Sequence, residues 1–143
     1  ENLKEQERLI ESFAKQRVNF QVVELAKKVV HIDGVNILAV LTDEGVGGKD
    51  LRQVADDMMT HLDGSSALVL ASRQKEQRVA VIARVSPQLH MHFTARELLA
   101  QVLEPMGGRG GGRKDMAQGG CLDSEKLIGV LDEVRLWMQH HLI

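Results

Sequence analysis

The chain has 143 residues, a length that fits one domain, with 43% apolar residues, 27% charged residues and a formal net charge of −2. The apolar share is enough for a core, while no segment approaches the ~18 consecutive apolar residues of a membrane span, and no secretory signal pattern opens the chain. The single cysteine, Cys121, excludes an intramolecular disulfide and a zinc cluster built on cysteines.

Residues 1–27 read as a long polar helix, an arm ahead of a globular part at 28–143. It starts at Glu1 inside a charged helical pattern, as a segment cut from a longer protein would. Leu3, Ile10, Phe13 and Phe20 form a partial heptad that Arg17 and Glu24 do not continue. So thin a stripe needs a partner, in the rest of this chain or in a second copy, and these four residues are the candidate dimer contact. "VNILAVL" at 35–41 reads as a strand behind the turn-forming Asp33-Gly34, with "KVVHI" available as the other arm of a hairpin. "TDEGVGGKD" is a loop. Leu51, Val54, Ala55, Met58, Met59 and Leu62 then fall on one helical stripe, with Asp50 as N-cap and the Met pair as core filler.

"SSALVLAS" at 65–72 and "RVAVIARV" at 78–85 read as two strands joined by the polar "RQKEQ". Thr94 and Glu97 make a capping box ahead of Leu98, Leu99, Val102 and Leu103, and Pro105 stops that helix. A glycine-rich loop follows. The last helix, capped by Asp123 or Ser124, carries the stripe Leu127, Ile128, Leu131, Val134 and Met138 with Trp137 beside it. The expected fold is α/β: a small globular domain with a mixed β-sheet flanked by helices, preceded by the long helical arm.

The sharpest feature is "MGGRGGGRKDMAQGG" at 106–120, which sets seven glycines among Arg109, Arg113 and Lys114. A turn needs one or two glycines. This many suggest that something approaches the backbone closely, and successive N–H groups in such a loop can form a concave anion site. A flexible linker is the simpler alternative, but the loop is not Ser-rich and runs into a specific string before a helix. The surroundings are basic: from Arg73 to Lys114 there are eight basic residues and three acids, a net of +5 against −7 for the remainder. A P-loop would need Ser or Thr after Gly-Lys, whereas Gly112 is followed by Arg113, Lys114 and Asp115. A dinucleotide fingerprint would need a glycine at Arg113 and a strand in front.

"GGRGGGRKDMAQGG" resembles the glycine-rich signature in the C-terminal domain of the alanyl-tRNA synthetase family. The wider layout, from about Val30 to Met138, agrees with it. The same domain type follows the catalytic domain of DHH-family phosphoesterases, which usually carry His after the glycines; Arg113 stands there and favours the synthetase branch. Lys114 replaces the Pro that commonly precedes the Asp. The resemblance implies a module that helps hold tRNA(Ala) by its elbow while other domains aminoacylate and edit. It also implies a homodimer contact through the helical part. Carried onto this chain, the candidate RNA contacts are Gly107, Gly108, Arg109, Gly110, Gly111, Gly112, Arg113, Lys114 and Gln118. Asp115 would fix the loop, and Met116 and Ala117 would pack. The segment itself is expected to need no cofactor; the parent enzyme would use ATP and magnesium, with zinc in its editing domain, in a bacterial cytoplasm or a mitochondrial matrix. Two rival readings are the substrate-binding domain of a DHH-type phosphoesterase or nuclease, and a domain that serves mainly to dimerise.

No second constellation competes. His90 and His92 lack further metal ligands nearby in sequence, Asp56 and Asp57 are neighbours on a helix, and no nucleophile elbow or HExxH is present. Cys121 reads as buried. Three Phe, one Trp and no Tyr argue against a wide stacking platform for single strands.

Overall fold

The computed structural model describes residues 22–32, 34–42, 48–62 and 64–142. Six strands form one mixed sheet in the order β1-β2-β3-β4-β6-β5: β1 (Val30–Ile32), β2 (Val35–Leu41), β3 (Ser65–Arg73), β4 (Arg78–Val85), β5 (Arg109–Gly112) and β6 (Met116–Leu122). Only β2 and β3 are parallel, and the chain between them supplies helix α1 (Gly48–His61) as the crossover. Helices α2 (Ala95–Met106) and α3 (Leu127–His141) follow among the described residues. The expected hairpin of "KVVHI" with "VNILAVL" is present as β1 and β2, and the strands 65–72 and 78–85 pair antiparallel as expected.

Side-chain alternation divides the core between the two faces of the sheet. One face places Ala67, Val69, Val81 and Ala83 against α2 and α3, through Leu98, Leu99, Val102, Leu131 and Val134. The other places Leu38, Leu68, Leu70 and Ile82 against α1, through Leu51, Val54, Ala55 and Met58. β3, at the centre, is buried from Ser66 to Ser72, which accounts for its nearly continuous apolar run. The polar groups drawn into the core are paired: the Ser66 N–H donates to Ser86 Oγ at 2.8 Å, and Asn36 Nδ2 donates to Ser66 Oγ at 3.2 Å. The Arg84 guanidinium on β4 pairs with the Asp56 carboxylate on α1.

Residues 22–26 are helical, and Val22 and Leu25 bury themselves in the α1-side core. The end of the expected arm therefore packs on the globular part. Leu3, Ile10, Phe13 and Phe20 lie outside the described residues.

Four expectations at helix ends and stripes are corrected. Pro105 does not stop α2, which runs on to Met106; in a last turn proline forfeits only one backbone bond, and Gly107 closes the helix in the left-handed region at φ 68°. Asp50 lies inside the first turn of α1, which begins at Gly48. Neither Asp123 nor Ser124 is the N-cap of α3. That position is Lys126, whose N–H donates to Ser124 Oγ at 3.1 Å, while Asp123 pairs with Arg73. On α3, Val130 fills the core place expected of Ile128, which is 51% exposed.

The capping box at α2 is present: the Glu97 N–H donates to Thr94 Oγ1 at 3.3 Å. Thr94→Ala is expected to lower stability by about 1 kcal/mol in urea denaturation, with Thr94→Ser close to neutral.

Candidate nucleic-acid interface

The segment read as a glycine loop is a β-hairpin at the edge of the sheet. β5 and β6 pair through Arg109↔Gly120, Gly110↔Gly119, Gly111↔Gln118 and Gly112↔Ala117, and β6 also pairs with β4. Its turn is fastened through the main chain. The Arg113 N–H donates to the Met116 carbonyl at 2.7 Å, the Ala95 N–H to the Lys114 carbonyl at 2.8 Å and the Val85 N–H to the Asp115 carbonyl at 3.0 Å. At Asp115 this fastening uses the backbone carbonyl, and the residue is exposed.

The glycines fall into two sets. A Cβ on Gly110 would sit 2.5 Å from Gly119 Cα and 3.0 Å from a Leu103 methyl; one on Gly112 would sit 2.5 Å from Ala117 Cα. Gly108 and Gly119 are blocked in the same way, each within 3.0 Å of backbone and of Leu103. These four glycines let the hairpin close upon itself and upon α2. Gly107 is needed for its left-handed φ, and Gly111 faces open space.

Alternation turns Arg109, Gly111 and Arg113 to the opposite side from Gly110 and Gly112. They share that side with Gln118 and Gly120, their partners on β6 being on the same face of the sheet. Arg109, Gly111, Arg113, Lys114 and Gln118 are all exposed. α1 packs chiefly on β3 and β4, and Met116 at the start of β6 is partly buried against the same core, while Arg109, Gly111 and Gln118 stay exposed. The result is a nearly flat surface of exposed backbone bordered by cations. The structure therefore brings Arg109, Gly111, Arg113 and Gln118 onto one face with Lys114 at its end, and turns the side-chain positions of Gly108, Gly110 and Gly112 toward the protein.

Because Arg113 and Met116 are a hydrogen-bonded pair, antiparallel alternation directs the N–H and C=O groups of Gly110 and Gly112 to the free edge of the sheet. That edge borders a groove of about 520 Å³ against α2, lined by Arg96, Leu99, Leu103, Glu104, Arg109 and Gly110. Arg96 was not singled out from sequence; it lies in the first turn of α2, far along the chain from the glycines.

His90 and His92 follow a short 3-10 turn (Pro87–Leu89) and do not share an extended segment. Among the described residues no group of three metal-ligating side chains is present, and no helix is long and apolar enough to cross a membrane. Cys121 is buried, and burial first, then the Asp123 carboxylate, pushes its thiol up from the ordinary range. Thiolate chemistry is correspondingly suppressed.

The DHHA1 domain model matches residues 34–140. The chain is 36% identical over 142 residues to the alanine–tRNA ligase of Xanthomonas axonopodis pv. citri, covering 99% of this chain and 16% of that protein. It is 40% identical over 119 residues to the alanine–tRNA ligase of Burkholderia lata, covering 83% and 13%. The chain thus spans about one sixth or less of the length of these curated relatives. The crystal structure of the C-Ala domain from Aquifex aeolicus alanyl-tRNA synthetase superposes with a TM-score of 0.66 at 22% identity, over 78% of this chain and 97% of that one. At that identity the likeness establishes a shared fold.

The two sets of glycines should separate on substitution. Gly110→Ala is expected to destabilise the chain by about 1–3 kcal/mol through overpacking. Gly111→Ala should leave stability within about 0.5 kcal/mol or raise it slightly. Urea unfolding of the two variants checks this.

Proposed function

The chain belongs to the DHHA1 domain family, and from that premise we propose that it is the C-terminal module of an alanine–tRNA ligase that holds tRNA(Ala), by its elbow, for domains elsewhere in the parent protein. The observation that carries this reading is the exposed face of the glycine hairpin. There Arg109, Arg113 and Lys114 border backbone that lacks side chains. Arginine and lysine bind phosphate oxygens, and exposed glycine backbone admits a bulky sugar-phosphate surface without steric conflict. The names of the curated relatives point to the same partner. Arg113, standing where phosphoesterase relatives would carry His, gives no support to the nuclease reading. The chemistry of activation and transfer, with ATP, magnesium and zinc, belongs in this reading to the rest of the parent chain. The bacterial relatives favour a bacterial cytoplasm as its compartment.

Weak binding by the module suffices if the parent protein already holds the same RNA, because tethering raises the effective concentration of the second site. The test is binding of labelled tRNA(Ala) by the chain and by its Arg109→Ala, Arg113→Ala, Lys114→Ala variant, both checked for folding. If three phosphate contacts are lost, the ratio of Kd at 200 mM to Kd at 50 mM salt should fall by about fortyfold. Equal ratios for parent and variant would remove the hairpin from the RNA contact.

A further inference from the structure

We propose that the RNA footprint continues beyond the hairpin turn, across the uncovered sheet face, to a second cationic contact made by Lys75 and Arg78 at the β3–β4 turn. The inference rests on the RNA-binding reading and extends its surface.

The strand register puts the two ends on one face of the sheet. Arg78 lies opposite Leu122, Arg109 opposite Gly120, and β6 connects them. Arg78 is therefore two strands and two residues away from Arg109, about 12 Å, and about 22 Å from Arg113. No position that β4, β5 or β6 presents on this face carries a carboxylate. Under α1 the face is closed: Ile82 is buried and Arg84 is taken up by Asp56. Beyond α1 it is open: Arg78, Gln118, Gly111 and Arg109 are exposed, and Leu122 is 66% exposed.

The far turn is held as firmly as the near one. The Gln74 N–H donates to the Arg78 carbonyl at 2.7 Å, and the Asp123 N–H to the Gln77 carbonyl at 2.6 Å. Glu76 and Gln77 sit at φ 61° and 58°, a left-handed pair in which glycine or asparagine is the usual occupant. Asp123, the carboxylate facing the turn, is neutralised by Arg73 at 2.9 Å. Lys75 and Arg78 remain outside that pair, beside a cleft of about 720 Å³. Glu76, at the tip, is the acid that tempers this end.

The partner this surface fits is a folded, base-paired RNA. Cations about 12–22 Å apart on a stiff sheet match phosphates on separate turns or strands of a rigid RNA. The phenyl and indole rings among the described residues, Phe93 and Trp137, pack together on the opposite side of the sheet, so neither is offered to unstacked bases on this face.

The test measures Kd at 50 and 200 mM salt for a base-paired RNA hairpin and for an unpaired oligonucleotide of equal length. Lys75→Ala, Arg78→Ala should lower the Kd ratio for the hairpin by about tenfold, and Leu122→Lys, which adds a cation between the two ends, should raise it by about threefold. The control Lys126→Ala, Arg135→Ala, on α3, should match the parent. The gain expected from Leu122→Lys cannot arise from misfolding. If the hairpin-turn triple variant lowers the ratio while neither Lys75→Ala, Arg78→Ala nor Leu122→Lys moves it, the second contact is refuted and the hairpin reading stands. If none of the three moves it, both fail. Equal or tighter binding of the unpaired strand would overturn the choice of folded RNA.

Discussion

Leu103 of α2 meets the glycine hairpin where side chains would otherwise stand. Its methyls lie within 3.0 Å of the places a Cβ would take on Gly108, Gly110 and Gly119. Everything distinctive about this end of the molecule depends on that approach. It seats β5 and β6 against α2, extends the sheet to six strands and fixes which way every residue of the hairpin points. The four-residue β5 has almost no apolar side chain to bury. It is held instead by backbone pairing, by the contact with Leu103 and by the carbonyls of Lys114 and Asp115, which take N–H groups from Ala95 and Val85. The absence of side chains is thus a packing device on one face, and on the other it leaves backbone uncovered.

The two sheet faces consequently do different work. Toward α2 and α3, a continuous apolar core runs across the sheet from β2 to Ala117 and Cys121 of β6. Toward α1 the cover is partial. It takes in the Arg84–Asp56 pair, Ile82, Ala80 and Met116, and outside it Arg78 of β4 and Arg109 of β5 are exposed. A net charge of −2 says nothing of this. Among the described residues the acids lie mostly on helices, and in the sequence all but three lie outside the basic stretch, so a chain that is acidic on average presents a cationic surface in one place. Such a surface attracts polyanions at moderate salt and releases them as salt rises.

Much of this was legible in the sequence. The stripe from Leu98 to Leu103, the capping box at Thr94 and the alternating runs of β3 and β4 were readable because burial and local hydrogen bonding act through fixed spacings. The cations of the hairpin, Arg109, Arg113 and Lys114, were readable as well, as were the glycines as a feature. What the glycines build was not. "RGGG" and "MAQGGCL" lack the β-branched alternation that marks a strand, and glycine is depleted in strands. Their strand character comes from tertiary pairing, which places Gly110 beside Gly119 and β6 beside β4. The same cause hid Arg78 and Leu122, which join Arg109 only through the register. Ile128 and Val130 exchanged places because both satisfy a helical stripe, and the angle at which α3 meets the sheet decides between them.

The central claim is that the hairpin has one face committed to the protein and one free for RNA. Amide and methyl chemical-shift mapping of the labelled chain during titration with a folded RNA tests it directly. Perturbations should gather at Arg78, Arg109, Gly111, Arg113, Gln118 and Leu122, with the Leu103 methyls and the Ala117 amide unmoved. Shifts centred on Leu103 and the groove along α2, with Arg78 and Gln118 silent, would contradict it.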